Sequence, residues 1–291
     1  MKEAKNNRKE QKSGDYSTNI QAETIVTGLD YDSAKSIALD VFNSNFLRLA
    51  GLAVEEAVSR AEKATKRILD EFFEHHRDRV NIMQEPSFQH NIYTIQKEYA
   101  KTADDNLLEM LIDILGQSSY YEVRDRNRII LNESLETAAK LTTSELAALS
   151  IIFLLDNPKY ITIDNTGEFS IFVDQLLTPF VPNLIREGIC YRHIAYTGCG
   201  TITVGNTTLE DLLLSNYPHL FPDFSNTSGI IYDEGNEKAF GKFLLDYHEC
   251  FSTLLYIWDN SLIAFTQLTS VGIAIAQCNI KLKTGKQFDI L

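Results

Sequence analysis

The stretch CYRHIAYTGCG, residues 190–200, places three side chains capable of chemistry within ten residues: Cys190, His193 and Cys199. A cysteine on a glycine-flanked turn with a histidine as base is the arrangement of a thiol nucleophile, because the thiol must lose its proton before it attacks. Cys199 and His193 are therefore the catalytic candidates, with His219 as the alternative base. The sequence shows no third group that would orient the base.

A zinc site in the same stretch would need a fourth ligand, and His219, His248 and Cys250 are the candidates. The spacing C-x2-H-x5-C matches none of the close-paired zinc patterns. The chain also has no glycine-rich phosphate loop of the Walker or Rossmann kind. We predict no metal and no cofactor.

A structural interpretation of the stretch competes with the catalytic one. Gly198 and Gly200 would supply the positive φ of a tight turn between two strands. Cys199 would then be a small buried residue. His193 would lie half exposed and take no part in chemistry.

Charge and composition exclude several classes of protein. The chain has 291 residues, 44% of them hydrophobic, and a formal net charge of −13. Residues 1–12 hold five basic and two acidic side chains, so the body carries 22 basic against 38 acidic residues. An acidic body repels phosphate backbones, and we expect no nucleic-acid partner.

The apolar segments and the cysteines indicate the compartment. No stretch approaches the roughly 18 uninterrupted apolar residues of a membrane helix, and residues 1–20 lack the apolar segment of a signal peptide. The four cysteines lie too far apart for a close-spaced disulfide framework. The sequence predicts a cytoplasmic protein with reduced thiols and no membrane span.

Hydrophobic periodicity predicts a mainly α fold in four parts. Residues 1–15 form a polar, basic tail without periodicity, and residues 16–29 form one short polar strand. Residues 30–103 form a long amphipathic helical hairpin, whose apolar stripe indicates a core-facing helix or, alternatively, a dimer seam. Residues 104–291 form a globular helical domain with a small sheet, an α+β part.

Individual helices follow from their caps and apolar faces. One long helix begins at Asp30 or Asp32 and continues to Arg79, with Gly51 as its weak point. A second helix begins after Pro86 and runs back along the first. Thr102 or Asp104 caps a third helix, and a fourth covers about 122–139. Thr142 or Thr143 caps the nearly all-apolar helix LTTSELAALSIIFLLDNP, which must be buried.

The C-terminal part contains the predicted strands. KYITIDNTGEFSIF alternates like a strand pair around Asn165-Thr166-Gly167. The stretch from Ile189 to Val204 is interpreted as strand, glycine-rich turn and strand. Thr207 or Thr208 caps the helix that follows. The closing segment AFTQLTSVGIAIAQCNIKL predicts a short strand, a cap at Thr269 and a last helix.

The strand within STNIQAETI raises the question of its pairing partner. A lone strand leaves its amides and carbonyls unpaired, and one or two strands are marginal in water. We expect it to pair with the same strand of another subunit or with the sheet edge of a partner, through Asn19, Ile20, Gln21 and Ala22. The alternative is that it docks on the C-terminal sheet of its own chain or lies loose.

Three motifs carry a resemblance to known proteins. The start GDYSTNIQA, the turn YTGCGTI and the closing LTSVGIAIAQCN resemble an uncharacterised bacterial family of about this length, for which no activity is established. The order of LTTSELAALSIIFLL and LTSVGIAIAQC is similar to that in the abortive-infection alpha family. That resemblance implies a helical protein with a winged-helix-like end and an association with phage resistance. The polar strand resembles leaders found in bacterial defence proteins, which implies a role in assembly.

Two classes of function follow. The first is a non-enzymatic interaction, adaptor or sensor protein, acting in phage defence, that forms a homo-oligomer through its N-terminal strand and binds a further protein partner. The alternative is a cysteine-dependent enzyme that uses Cys199 with His193. A thiol-reactive probe separates the two, because a catalytic thiolate reacts fast near neutral pH and a packed cysteine does not.

Overall fold

The computed structural model describes residues 29–45, 52–205, 207–224 and 234–288. Helices dominate these residues, and within them one pair of short strands lies in the C-terminal part, so the predicted mainly α fold with a small β element is confirmed. The predicted tail and strand at the N-terminus, with Asn19, Ile20, Gln21 and Ala22, lie outside the described residues. In chain order the elements are α1 Tyr31–Asn45, α2 Leu52–His75, α3 Pro86–Thr102, α4 Asp105–Ser118, α5 Arg126–Ala138, α6 Thr143–Asp156, α7 Thr166–Phe172, α8 Gly188–Tyr196, β1 Gly200–Ile202, α9 Leu209–Asn216, α10 Glu234–Tyr247, α11 Cys250–Asn260, β2 Thr266–Leu268 and α12 Ser270–Thr284.

Helices α2 and α3 pack antiparallel, as predicted from Pro86. The Arg60 guanidinium donates to the carbonyl oxygen of Ala100 at 3.1 Å. At the other end of the pair, the rings of Phe72 and Phe88 lie 5.4 Å apart. Pro86 occupies the first position of α3, where its missing N–H costs nothing.

The prediction of one continuous helix from residue 30 to residue 79 is wrong. The ring of Tyr31, at the start of α1, lies 5.3 Å from the ring of Phe73, near the end of α2. In a straight helix these residues would be about 60 Å apart, because each residue adds about 1.5 Å. The apolar stripe therefore belongs to two helices that fold back on each other, and both bury it.

Helices α6 and α12 form the centre of the core. Ten of the residues of α6 are buried, and the central residues of α12 are also buried. Asn279 of α12 donates through Nδ2 to Leu146 O at 3.2 Å and to Ser150 Oγ at 2.8 Å. Because this amide is buried, the two bonds fix how the helices face each other.

One continuous cluster of buried apolar residues extends from Ala34 to Phe288. It includes residues of both predicted parts, 30–103 and 104–291. The boundary near residue 103 stays a prediction.

The predicted strand pair around residues 165–167 is wrong. These residues begin helix α7, and the side chain of Asn165 accepts a hydrogen bond from Glu168 N at 3.0 Å. An asparagine before a threonine and a glycine suits a hairpin turn, but it suits an N-cap equally well. The cap forms here because it lets α7 bury Phe169 and Phe172.

The predicted strand at residues 189–196 is also wrong, because these residues form α8. Its β-branched and aromatic residues suit a strand. However, Cys190, Tyr191 and Ile194 recur with helical spacing, and all three are buried. Packing of this face overrides the local preference.

The closing segment has the predicted structure. Strand β2 pairs antiparallel with β1, with Gly200 opposite Leu268 and Ile202 opposite Thr266. The side chain of Thr269 caps α12 by accepting a hydrogen bond from Gly272 N at 3.2 Å. Among the helices described, none is both long and apolar enough to cross a membrane.

Candidate functional site at the YTGCG turn

The turn between α8 and β1 is closed by its own backbone. Cys199 N donates to Ile194 O at 3.0 Å, and Gly198 N donates to Ala195 O at 3.1 Å. Gly198 has φ +80°, a conformation that costs glycine little because it has no Cβ. The positive φ predicted for Gly198 is confirmed, whereas Gly200 has the extended backbone of β1.

The YTGCG and LTSVG segments meet at this turn. Thr269 N donates to Cys199 O at 3.0 Å, and Thr269 Oγ1 donates to Gly198 O at 2.6 Å. A Cβ on Gly272 would lie 1.9 Å from Cys199 O, far inside van der Waals contact. Two segments about 70 residues apart are therefore held together by contacts that require a threonine at one position and a glycine at the other.

His193 contacts a buried carboxylate. Its Nδ1 lies 2.6 Å from Glu145 Oε1, and Glu145 is 4% exposed. The other oxygen, Glu145 Oε2, accepts from the backbone and hydroxyl of Thr142 at 2.7 and 3.0 Å, which completes the capping box of α6. His193 therefore anchors α8 to the start of α6, and its ring also stacks on that of Tyr196.

The two cysteine thiols at the turn and in α8 are buried. Cys199 is fully buried, and this burial raises the pKa of its thiol above the ordinary value. Burial also raises the pKa of Cys190, to about 12. No hydrogen bond joins Cys199 to His193 in the described part of the chain. A nucleophile needs a lowered thiol pKa or an adjacent base, and the described residues provide Cys199 with neither.

The remaining candidate ligands are separately bound to other groups. His219 Nε2 lies 3.0 Å from Ile163 O, and His248 Nε2 lies 3.1 Å from Asp174 Oδ1. His248 Nδ1 accepts from Cys250 N at 3.1 Å, which helps to start α11. Across residues 29–45, 52–205, 207–224 and 234–288, no group of three or more histidine, cysteine and acidic side chains could hold a metal ion.

Four large apolar side chains near the turn in sequence are exposed. They are Ile189 and Tyr196 of α8, Ile202 of β1 and Val204 just after it, which are 76%, 86%, 39% and 101% exposed. Ile189 and Tyr196 lie seven residues apart and so share one face of α8. Ile194, whose side chain lies against Gly200 of β1, is on the other side of α8, so Ile189 and Tyr196 point away from the strand.

The outer edge of β1 is exposed at Ile202, whereas Gly200 is buried. Thr203 N donates to Phe265 O at 2.8 Å, and Cys199 O accepts from Thr269 N. Because hydrogen-bonded and non-bonded pairs alternate in an antiparallel ladder, the N–H and C=O groups of Gly200 and Ile202 point away from β2. Within the described residues, no strand pairs with this edge.

Sequence reasoning found the turn but missed its partners. The sequence could have identified Glu145 as a capping residue, since Thr142 and Glu145 match the S/T-x-x-E pattern of a capping box. Ile189 and Tyr196 were hidden because the helix that displays them was interpreted as a strand. The partnership of Thr269 and Gly272 with the turn depends on tertiary contacts alone.

Comparison with known proteins gives the family and no activity. No curated protein and no solved structure matches the chain. A family model, that of an uncharacterised family, matches residues 28–231 and 231–291. These two stretches contain the turn, both strands and every helix described above, and the chain belongs to this uncharacterised family.

Proposed function

We propose that the protein is a non-enzymatic interaction protein that assembles by adding a strand to the outer edge of β1. The observation that carries this proposal is the edge itself, where Ile202 presents backbone groups that point away from β2, beside its own exposed side chain and that of Val204. Strand addition uses both features, since backbone hydrogen bonds give affinity and neighbouring side chains give specificity.

The strand that we propose to bind there is residues 17–27 of a second copy of the chain. This segment alternates in the period of a strand, with Ile20, Ala22 and Thr24 on one side. Pairing in trans makes each copy both donor and acceptor, so the assembly is a homo-oligomer. A further protein partner would use the exposed apolar residues that the strand leaves uncovered.

The chemistry of the described residues supports a binding role over catalysis. All four cysteines are free and buried, and burial raises the pKa of each thiol. We expect a thiol-reactive probe at neutral pH to label the folded protein slowly. Rapid labelling of one cysteine would favour the alternative of a cysteine-dependent enzyme.

The setting that we propose for this assembly is phage defence in the cytoplasm. The support is the similarity in sequence order to the abortive-infection alpha family, together with the reduced thiols that the sequence predicts. Expression of the gene in a susceptible host should lower the efficiency of plaque formation. The same efficiency with and without the gene across a broad phage panel would contradict the defence role.

The assembly is tested by proline substitutions on both sides of the proposed pair. Ile20→Pro removes a donor from the added strand, and Ile202→Pro removes an outward donor without touching the bonds to β2. Ala4→Pro, in the N-terminal tail, is the matched control. Light scattering should give an oligomer for the wild type and the control, and a smaller species for Ile20→Pro and Ile202→Pro, with helical circular dichroism retained.

Two results would contradict the assembly proposal. One is a monomeric wild type at the concentrations tested. The other is an Ile20→Pro protein of unchanged mass. If only Ile202→Pro keeps the wild-type mass, the strand assembles elsewhere and the β1 edge is not its site.

A further inference from the structure

A cleft with no lining residue from α8 or β1 is independent of the proposed assembly. It has a volume of about 790 Å³, within the range of small-molecule sites. Its walls come from the 3-10 helix Arg77–Gln84, the loop after α4 and the first turn of α5. We call it the arginine cleft, because Arg79, Arg124 and Arg128 all line it.

Arg128 lies within the wall of the cleft and is 2% exposed. Its Nη2 donates to Glu85 Oε2 at 2.7 Å and its Nη1 to Tyr121 O at 3.1 Å. These bonds fix the loop after α4 against the start of α3. Its Nε is buried and has no acceptor in the described part of the chain, so the wall retains an unused donor.

Arg79 lies over the ring of Tyr120. The guanidinium carbon lies 5.0 Å from the centre of the Tyr120 ring, and the Tyr120 hydroxyl is 2.8 Å from His76 Nδ1. Asp78 Oδ2 lies 3.2 Å from Arg79 Nε in an ion pair, but this buried Nε has no hydrogen-bond acceptor among the described residues. Neither Nη of Arg79 has a hydrogen-bond acceptor among the described residues, so both Nη groups can donate to a ligand.

Arg124 completes the cationic side of the cleft. Among the residues described, none forms an ion pair or a hydrogen bond with its side chain. The cleft also contains Asp78, Glu85 and Glu122, so its lining is neutral while the chain carries −13. Anions are therefore repelled less here than over the acidic surface as a whole.

We propose that the arginine cleft binds a small organic anion in which a carboxylate or phosphate group is attached to a flat ring. The Nη groups of Arg79 and the guanidinium of Arg124 bind the oxyanion, because a guanidinium offers parallel donors that match two oxygens. The flat part of the ligand packs against Tyr120, a residue that is 47% exposed. This inference assigns a ligand site and no reaction.

The test compares four probes at low ionic strength by saturation-transfer NMR and titration of arginine Nε–H resonances. Phenyl phosphate and benzoate carry the two possible head groups, benzyl alcohol carries the ring alone, and inorganic phosphate carries the charge alone. We expect binding of phenyl phosphate or benzoate, and the tighter of the two identifies the head group. Benzyl alcohol and inorganic phosphate should each bind at least about tenfold more weakly, because each lacks half of the contacts.

Variants locate the binding in the cleft. The double variant Arg79→Gln with Arg124→Gln should weaken the better anion about tenfold or more, while Arg192→Gln, an exposed arginine on α8, should leave it unchanged. Circular dichroism verifies folding, and Arg124→Gln alone replaces the double variant if that variant does not fold. Equal affinity of wild type and the cleft variant, or no binding of either anion to the wild type, would overturn the proposal.

Discussion

Gly272→Ala tests the contact that joins the turn to α12. The alanine Cβ would lie 1.9 Å from Cys199 O, and the nearest atoms are backbone, which no side-chain rotation can move away. The strand pair and α12 must therefore separate. This movement stretches both hydrogen bonds of Thr269, to Cys199 O and to Gly198 O.

The expected loss of stability combines three contributions. Overpacking costs about 1–3 kcal/mol, and two hydrogen bonds contribute about 1 kcal/mol each. Alanine recovers about 0.5–1 kcal/mol relative to glycine within a helix. The net destabilisation is about 2–4 kcal/mol, a large part of the roughly 5–15 kcal/mol by which a domain is stable.

Urea unfolding followed by circular dichroism at helical wavelengths measures this loss. The midpoint should fall by about 1 M for a chain of this size. Gly188→Ala is the matched control, because its new Cβ would meet only Leu262 at an ordinary 3.4 Å. The control should lie within about 0.5 kcal/mol of the wild type.

A double-mutant cycle with Thr269→Val separates the mechanism from general damage. If Gly272→Ala already breaks the hydrogen bonds of Thr269, Thr269→Val has less left to remove. The destabilisation by Thr269→Val should then be smaller in the Gly272→Ala protein than in the wild type, by about 1 kcal/mol or more. A Gly272→Ala protein as stable as the wild type, or strictly additive effects, would refute the reasoning.

Three further predictions concern the core and the thiols. Phe153→Ala, at a fully buried position of α6, should cost about 3–5 kcal/mol in the same unfolding assay, and normal stability would place this side chain outside the core. Gly116→Ala should cost about 1–3 kcal/mol, because its Cβ would lie 2.6 Å from His76 Nε2, and His76→Ala should recover part of that loss in the double variant. Burial raises the pKa of Cys190 to about 12, above its value in the unfolded chain, so the contribution of this thiol to stability should be constant below about pH 9 and be lost between pH 9 and 12. Cys190→Ala should therefore reduce the fall in stability over this range, and an unchanged slope would contradict the shift.

Signals within a few residues predicted the helices well. Asp104, Thr142, Thr208 and Thr269 are each the cap that the structure shows. A cap depends on one side chain and the next three amides, so the sequence contains all of it. The burial of α6 could also be predicted from the sequence, because a helix that is apolar all round has no polar face to expose to water.

Errors occurred where two local structures compete. Asn165 suits both a turn and a cap, and the stretch 189–196 has strand-forming residues at helical spacing. In both cases the choice depends on which face finds a packing partner, and residues far away in the chain decide this. The break between α1 and α2 was missed for a similar reason. Two helices that fold back on each other have the same apolar periodicity in sequence as one continuous helix.

The candidate site was only partly accessible from the sequence. The positive φ of Gly198 could be predicted from the glycine-rich sequence of the turn. The burial of Cys199 was one of two competing interpretations, and only the fold decides between them. The contact of Thr269 and Gly272 with the turn joins positions with no sequence relationship, so no local pattern could indicate it.

The long separation of the two strands has a kinetic consequence. Thr201 and Gln267 pair across 66 residues, and closing a loop of that length costs about 4 kcal/mol of chain entropy before any contact forms. The helices between and around them form from local contacts and have no such barrier, so the sheet should assemble after the folding transition state. Substitutions such as Gly272→Ala should therefore accelerate unfolding and leave the rate of folding nearly unchanged. The YTGCG turn would then determine how long the native protein lasts and have little effect on how quickly it forms.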